Sequence, residues 1–240
     1  MNVIITENYQ QMSEKAAEIL INVVKNNPNA ILGLATGSSP IGTYQLMAKD
    51  YRENGTSYQN VKTVNLDEYV GLTADHDQSY AYFMRTNLFN HIDINLENTN
   101  LPCGSAKDLA AECDRYNALL AKMQPDVQVL GLGSNGHIGF NEPNTPFDSV
   151  THLVDLTENT IKDNSRLFAS IDEVPRQALS MGIKNIMQAK SIVMVVSGKN
   201  KAEAVKGMVK GEITPALPAS VLQLHPNVTI VCDKDAASLL

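Results

Sequence analysis

Residues 191–197 read SIVMVVS, and residues 198–211 continue GKNKAEAVKGMVKG. The first run holds Ile192 to Val196 with no polar alternation. Such a run fits a strand covered on both faces, as in a parallel sheet. The second run reads as a helix. Outward from this pair the alternation repeats. NVIIT, AILGLAT, VKTVNL, DVQVLGL, HLVDL and NVTIVC read as strands. Met12, Ala16, Ala17, Leu20 and Val24 recur at helical spacing, and so do Tyr44, Met47, Ala48 and Tyr51, with Gly55 placed to cap the second helix. SAKD, Ser105 to Asp108, reads as a capping box before a helix carrying Leu109, Cys113, Leu119 and Leu120. Strands alternating with helices predict an α/β fold: a doubly wound, mostly parallel, Rossmann-like sheet with helices on both faces. No repeat, linker or low-complexity tract divides the chain, so residues 1–240 are expected to form a single domain.

Composition narrows the function. The net charge of −7 and the absence of tryptophan argue against a nucleic-acid partner, which needs basic residues and stacking platforms. Three scattered cysteines, Cys103, Cys113 and Cys232, fit a reducing compartment better than a disulfide framework. No run is apolar and long enough for a signal peptide or a membrane span, so a cytoplasmic protein without a membrane partner is expected.

In open α/β sheets ligands bind beyond the carboxyl ends of the strands. Four such ends have unusual contents. ATGSSP, Ala35 to Pro40, offers small residues before a helix, an arrangement suited to an anion. The plain alternative is a tight turn with Ser39 as cap. NLDEYVG places Asp67 and Glu68 side by side at the end of an apolar strand, where a partly desolvated carboxylate can act as a general base. Two solvated acids are the alternative. LGLGSNGHIGFNEP, Leu130 to Pro143, matches G-x-G-x-x-G, yet Pro143 and Pro146 exclude the helix that a dinucleotide turn must open. A loop folding back over the strand ends fits better. It would present Asn135, His137 and Glu142 as an acid–base set. Finally, Arg166 lies in KDNSRLF, and Lys199 and Lys201 open a helix whose dipole disfavours cations, which an anionic ligand would rationalise.

Taken together, LATGSSP, NLDEYVGL, GLGSNGHIGFNEP, NSRLF and GKNKAEAV resemble the glucosamine-6-phosphate deaminase family, in its order, from about Leu34 to Val205. The resemblance implies conversion of glucosamine-6-phosphate and water to fructose-6-phosphate and ammonium, with no metal and no cofactor. It implies ring opening, C2-to-C1 isomerisation and imine hydrolysis. By position, the resemblance implies that Asp67 takes the C2 proton and that His137 moves a proton at the ring oxygen. It implies that Glu142 and Asn135 orient His137, and that Gly37, Ser38, Ser39, Arg166 and Lys201 bind the phosphate. Two departures stand out. Allosteric members carry Asp where this chain has Asn135. They also carry Arg and Lys after the FNEP segment, where His152 and Val154 correspond here. The expectation is no response to N-acetylglucosamine-6-phosphate, and a monomer in place of the allosteric hexamer. Two rival readings share the architecture. A 6-phosphogluconolactonase gives no reason for Asp67. A sugar-phosphate sensor needs no acid–base set, and would usually carry a helix-turn-helix domain for which the chain has no room before its first strand.

Overall fold

The computed structural model describes residues 1–158, 161–162, 168 and 170–240. Ten strands are present among them: β1 (Asn2–Thr6), β2 (Ile31–Leu34), β3 (Lys62–Asn65), β4 (Asp67–Tyr69), β5 (Thr99–Asn100), β6 (Val127–Leu130), β7 (His152–Asp155), β8 (Gln177–Ser180), β9 (Ile192–Val196) and β10 (Val228–Asp233). The helices described from end to end are α1 (Tyr9–Asn26), α2 (Ile41–Asn54), α3 (Tyr80–Asn87), α4 (Leu109–Leu120), α5 (Ile183–Met187) and α6 (Ala202–Lys210).

Seven strands form one parallel sheet in the order β1-β10-β9-β6-β2-β3-β5. From β2 the chain winds outward through β3 to β5. It then returns to β6, on the other side of β2, and winds through β9 to β10. The reversal falls between β2 and β6, so the loops leaving these two strands splay apart and open a crevice at their carboxyl ends. Every residue of β6 and β9 is buried, as expected of strands covered on both faces. On β2, Gly33 is required by close packing: a Cβ there would stand 2.0 Å from Oε1 of Gln128 on β6.

The expected helices form, with shifted details. Gly55 adopts the left-handed conformation after α2, and its amide reaches the Tyr51 carbonyl. The capping box read at Ser105 does not form. Asp108 caps α4 instead, its carboxylate accepting from the Ala111 amide. The buried face of α4 is Glu112, Tyr116 and Leu120; of the expected stripe Leu120 is buried, whereas Leu109, Cys113 and Leu119 are only half-buried. Periodicity missed it because Glu112 is buried with its charge compensated by Arg115 and by the Cys103 amide. All three cysteines are free thiols. Among the described residues, no helix is long and apolar enough to cross a membrane.

A second sheet was not expected from the sequence. β4, β8 and β7 form an antiparallel ribbon, in which Asp67 pairs with Ser180 and His152 also pairs with Ser180 from the other side. HLVDL is therefore a strand of this ribbon, not of the parallel sheet. Asp67 and Glu68 lie within a strand, not in a loop after one. The ribbon covers a smaller aromatic core of Tyr69, Phe140 and Leu156.

Candidate active site

The crevice at the reversal is a cavity of about 250 Å³ lined by the loops after β2 and β6, by Asp67, by Tyr80 and by Lys201. The loop after β2 is held from below by two tyrosines. Tyr44 donates its hydroxyl to the Ala35 carbonyl at 2.6 Å and accepts the Ala35 amide at 3.1 Å. Tyr9 donates to the Ser38 carbonyl at 3.0 Å and accepts from the Gly42 amide at 2.9 Å. Gly37 has φ of 92°, in the region that favours glycine. Among the described residues, none accepts a hydrogen bond from the amides of Gly37, Ser38 or Ser39. Those amides are available to an anion at the start of α2. Ser39 does not cap α2; Pro40 occupies the cap position without a side-chain bond.

Asp67 faces this cavity, only 6% exposed. No described residue donates a hydrogen bond to its carboxylate. Burial, and then the neighbouring Glu68 charge, push its pKa up to about 8. Glu68 points elsewhere. Its carboxylate accepts the amides of Tyr69, Tyr80 and Ala81, each at 2.9 Å, and so fixes the first turn of α3. Its own pKa is raised by burial, against those three hydrogen bonds. The two adjacent acids therefore have separate work: Asp67 lines the cavity and Glu68 anchors a helix.

The loop after β6 does fold back rather than open a helix. Gly133 and His137 close it through the Gly133 amide and the His137 carbonyl at 2.9 Å. The imidazole lies over Gly133, where a Cβ would come within 2.3 Å of Nδ1. That contact is why the loop needs glycine there. Asn135 stands between the histidine and Glu142. Its Nδ2 donates to Glu142 Oε2 at 2.7 Å, and its Oδ1 lies 2.8 Å from His137 Nδ1. The carboxylate can only accept, which fixes the amide's orientation. Asn135 Oδ1 must then accept from Nδ1–H, and also accepts the His137 amide at 3.2 Å. Nε2 is left as the unprotonated nitrogen. The direct separation of His137 Nδ1 and Glu142 Oε2 is 3.7 Å. The pKa of His137 is lowered, mainly by burial, with Glu142 opposing and Lys201 assisting. The neutral ring is thus the favoured form.

Lys201 completes the wall, while Lys199 is exposed and outside it. The turn bearing Lys201 is anchored by Asp233 at the end of β10, which accepts from the Ser197 hydroxyl and the Gly198 amide. Arg166 lies outside the described residues. Of the sequence-predicted residues, Gly37, Ser38, Ser39, Asp67, His137 and Lys201 line one cavity, and Asn135 and Glu142 stand directly behind His137. Reading the sequence missed Tyr80 and Phe140, whose rings stack 6.1 Å apart on the cavity wall. It also missed the support given by the C-terminal stretch, where the Ala219 amide reaches the Gly136 carbonyl. Among the described residues, no group of three or more His, Cys, Asp or Glu is placed to hold a metal.

Comparison with known proteins agrees with this fold. The model of the family described as glucosamine-6-phosphate isomerases/6-phosphogluconolactonase matches residues 6–231. A glucosamine-6-phosphate deaminase of Thermoanaerobacter pseudethanolicus is 54% identical over 100% of this chain and 95% of its own. One from Clostridium perfringens is 51% identical, with 100% of both chains covered. A solved structure of a monomeric glucosamine-6-phosphate deaminase superposes with a TM-score of 0.98 at 47% identity, covering 100% of both chains. The 6-phosphogluconolactonase of Trypanosoma brucei shares the fold, with a TM-score of 0.77 at 21% identity over 100% of this chain and 98% of its own. The chain belongs to the glucosamine-6-phosphate isomerase/6-phosphogluconolactonase family.

Proposed function

We propose that residues 1–240 work as one sugar-phosphate deaminase/isomerase domain that converts glucosamine-6-phosphate and water to fructose-6-phosphate and ammonium, in amino sugar catabolism. The observation that carries this reading is one cavity bounded by an anion loop, a buried carboxylate of raised pKa, and a neutral histidine oriented from behind. The sugar phosphate lies on the amides of Gly37, Ser38 and Ser39 and against Lys201, with Arg166 as a second cation. Nε2 of His137 takes a proton during ring opening and returns it to the ring oxygen. Glu142, through Asn135, holds the ring in the tautomer that leaves Nε2 free. Asp67 then takes the C2 proton and delivers it to C1. The imine now at C2 is attacked by water, and ammonia leaves.

Lactone hydrolysis is the second reading that the family allows. It breaks no C–H bond and so gives a buried base such as Asp67 no task. Purified protein supplied with glucosamine-6-phosphate should release ammonium and fructose-6-phosphate in equal amounts. Hydrolysis of 6-phosphogluconolactone with no ammonium from the amino sugar would favour the second reading.

The protein works as a cytoplasmic monomer in this proposal. A monomeric deaminase 47% identical over the whole chain supports it. His152 turns its Nδ1 to the Val150 carbonyl at 2.8 Å, and neither it nor Val154 supplies a fixed cation for an activator phosphate. The rate curve should therefore be hyperbolic and indifferent to N-acetylglucosamine-6-phosphate. Lys201→Met should raise KM for glucosamine-6-phosphate about 10–100-fold, the worth of a hydrogen bond to a charged group. Steady-state kinetics with kcat changed more than KM would exclude Lys201 from phosphate binding.

A further inference from the structure

Two proton-transfer groups must meet one substrate, yet they come from different layers of the fold. Asp67 sits on the three-residue strand β4 of the antiparallel ribbon. His137 and Glu142 sit on the loop after β6 of the parallel sheet. No described residue donates to the Asp67 carboxylate, so its place is set by the ribbon backbone: pairing with Ser180 on β8, and the Met181 amide bound to the Leu66 carbonyl at 2.7 Å. Besides the packing of the Phe140 ring on Tyr69 of β4, the loop is hydrogen-bonded to that ribbon through two fully buried side chains. Ser180 Oγ accepts the Phe140 amide at 3.1 Å and donates to the Met181 carbonyl at 3.1 Å. Asn141 Nδ2 donates to the Met181 carbonyl at 2.8 Å and to the Ile138 carbonyl at 2.9 Å.

Between these links lies Gly139, with φ of 57°. A Cβ on it would stand 3.2 Å from Ser180 Oγ and 3.6 Å from Asp67 Oδ2. The loop thus passes directly over the carboxylate, at the pair that Ser180 makes with Asp67.

We infer that Ser180 and Asn141 are positioning residues that fix the separation of the two proton-transfer groups, by tying residues 138–141 to the end of β8. Neither side chain lines the substrate cavity. They act through Phe140, Gly139 and the ribbon. Displacements near 1 Å between reacting groups cost about a hundredfold in rate, so losing such a tie should register in turnover. Substrate affinity resides mainly in the phosphate loop and Lys201, which the tie does not touch.

This inference rests on the proposed deaminase reaction, and its test separates the two. The experiment compares wild type, Ser180→Ala and Ser180→Thr with glucosamine-6-phosphate and with its C2-deuterated form. Ser180→Ala removes one hydroxyl and adds no bulk. Ser180→Thr keeps the hydroxyl, on a strand that tolerates β-branching. The expected result for Ser180→Ala is kcat lowered about tenfold or more, KM within threefold, and a larger primary isotope effect on kcat, because C2 proton removal becomes more rate-limiting. Ser180→Thr should recover most of the rate and the wild-type isotope effect. A lower melting temperature for Ser180→Ala with unchanged kcat and isotope effect would overturn the inference and leave Ser180 a packing residue. A rise in KM alone would also overturn it. Wild type that yields no ammonium would sink the deaminase reading itself, and this inference with it.

Discussion

Asp67→Asn should lower kcat for ammonium release by about 10³–10⁴, near the upper range for a lost general base, while glucosamine-6-phosphate still binds. The carboxamide has nearly the same shape and cannot accept the C2 proton. Titration calorimetry against turnover separates binding from chemistry. Intact turnover in the variant would remove Asp67 from the reaction. The same substitution carries a stability signature with a defined sign. Burial raises the folded-state pKa of Asp67 from the ordinary carboxylate value to about 8. The folded protein therefore holds this proton more tightly than the unfolded chain does. The neutral acid is tolerated at low pH, and the cost of ionising it grows as pH climbs from about 4 towards 8. Asp67→Asn should accordingly raise the melting temperature at pH 8 and change it little at pH 4. A carboxyl kept buried, with no donor among the described residues, is held at the expense of stability, a common feature of active sites.

His137→Gln should lower kcat by about 10²–10⁴, with the ring-opening step affected most. The amide can occupy the place of the ring and still meet Asn135, but it offers no titratable Nε2. Because burial lowers the His137 pKa, the wild-type ring stays neutral at pH 7 and protonates only on acidification. The acid limb of the wild-type kcat/KM profile then contains ionisation of both His137 and Asp67, and the Asp67 contribution lies at the higher pH. In His137→Gln only the Asp67 contribution remains. An unchanged acid limb and unchanged turnover would show that His137 moves no proton.

The parallel sheet was legible because Ile192–Val196 and Val127–Leu130 are buried on both faces, and burial of that kind leaves unbroken apolar runs in sequence. The candidate site was legible for a related reason. The loops after β2 and β6 need glycine, serine, histidine and carboxylates that neither a core nor an ordinary turn requires. The antiparallel ribbon was not legible. β4 is three residues long, and two of the three are acids that read as loop. They are buried because Glu68 accepts the Tyr69 amide and those of Tyr80 and Ala81 at the start of α3, and because Asp67 lies under the loop after β6, facing the cavity. Periodicity also failed on α4, where a compensated Glu112 occupies the inner face. Tyr9, Tyr44, Ser180, Asn141 and Asp233 act through hydrogen bonds to backbone 9 to 40 residues away in sequence, which no local pattern records.

In the proposed reaction Asp67 removes hydrogen from C2 of the amino sugar while the phosphate is held across the cavity. Proton NMR of glucosamine-6-phosphate in D2O, with wild type and with Asp67→Asn side by side, tests it most directly. Wild type should lose the C2–H signal in step with ammonium, and Asp67→Asn, with sugar bound, should leave that signal in place for at least a hundred times longer. Loss of the C2–H signal at the wild-type rate in Asp67→Asn would show that another group removes the C2 proton.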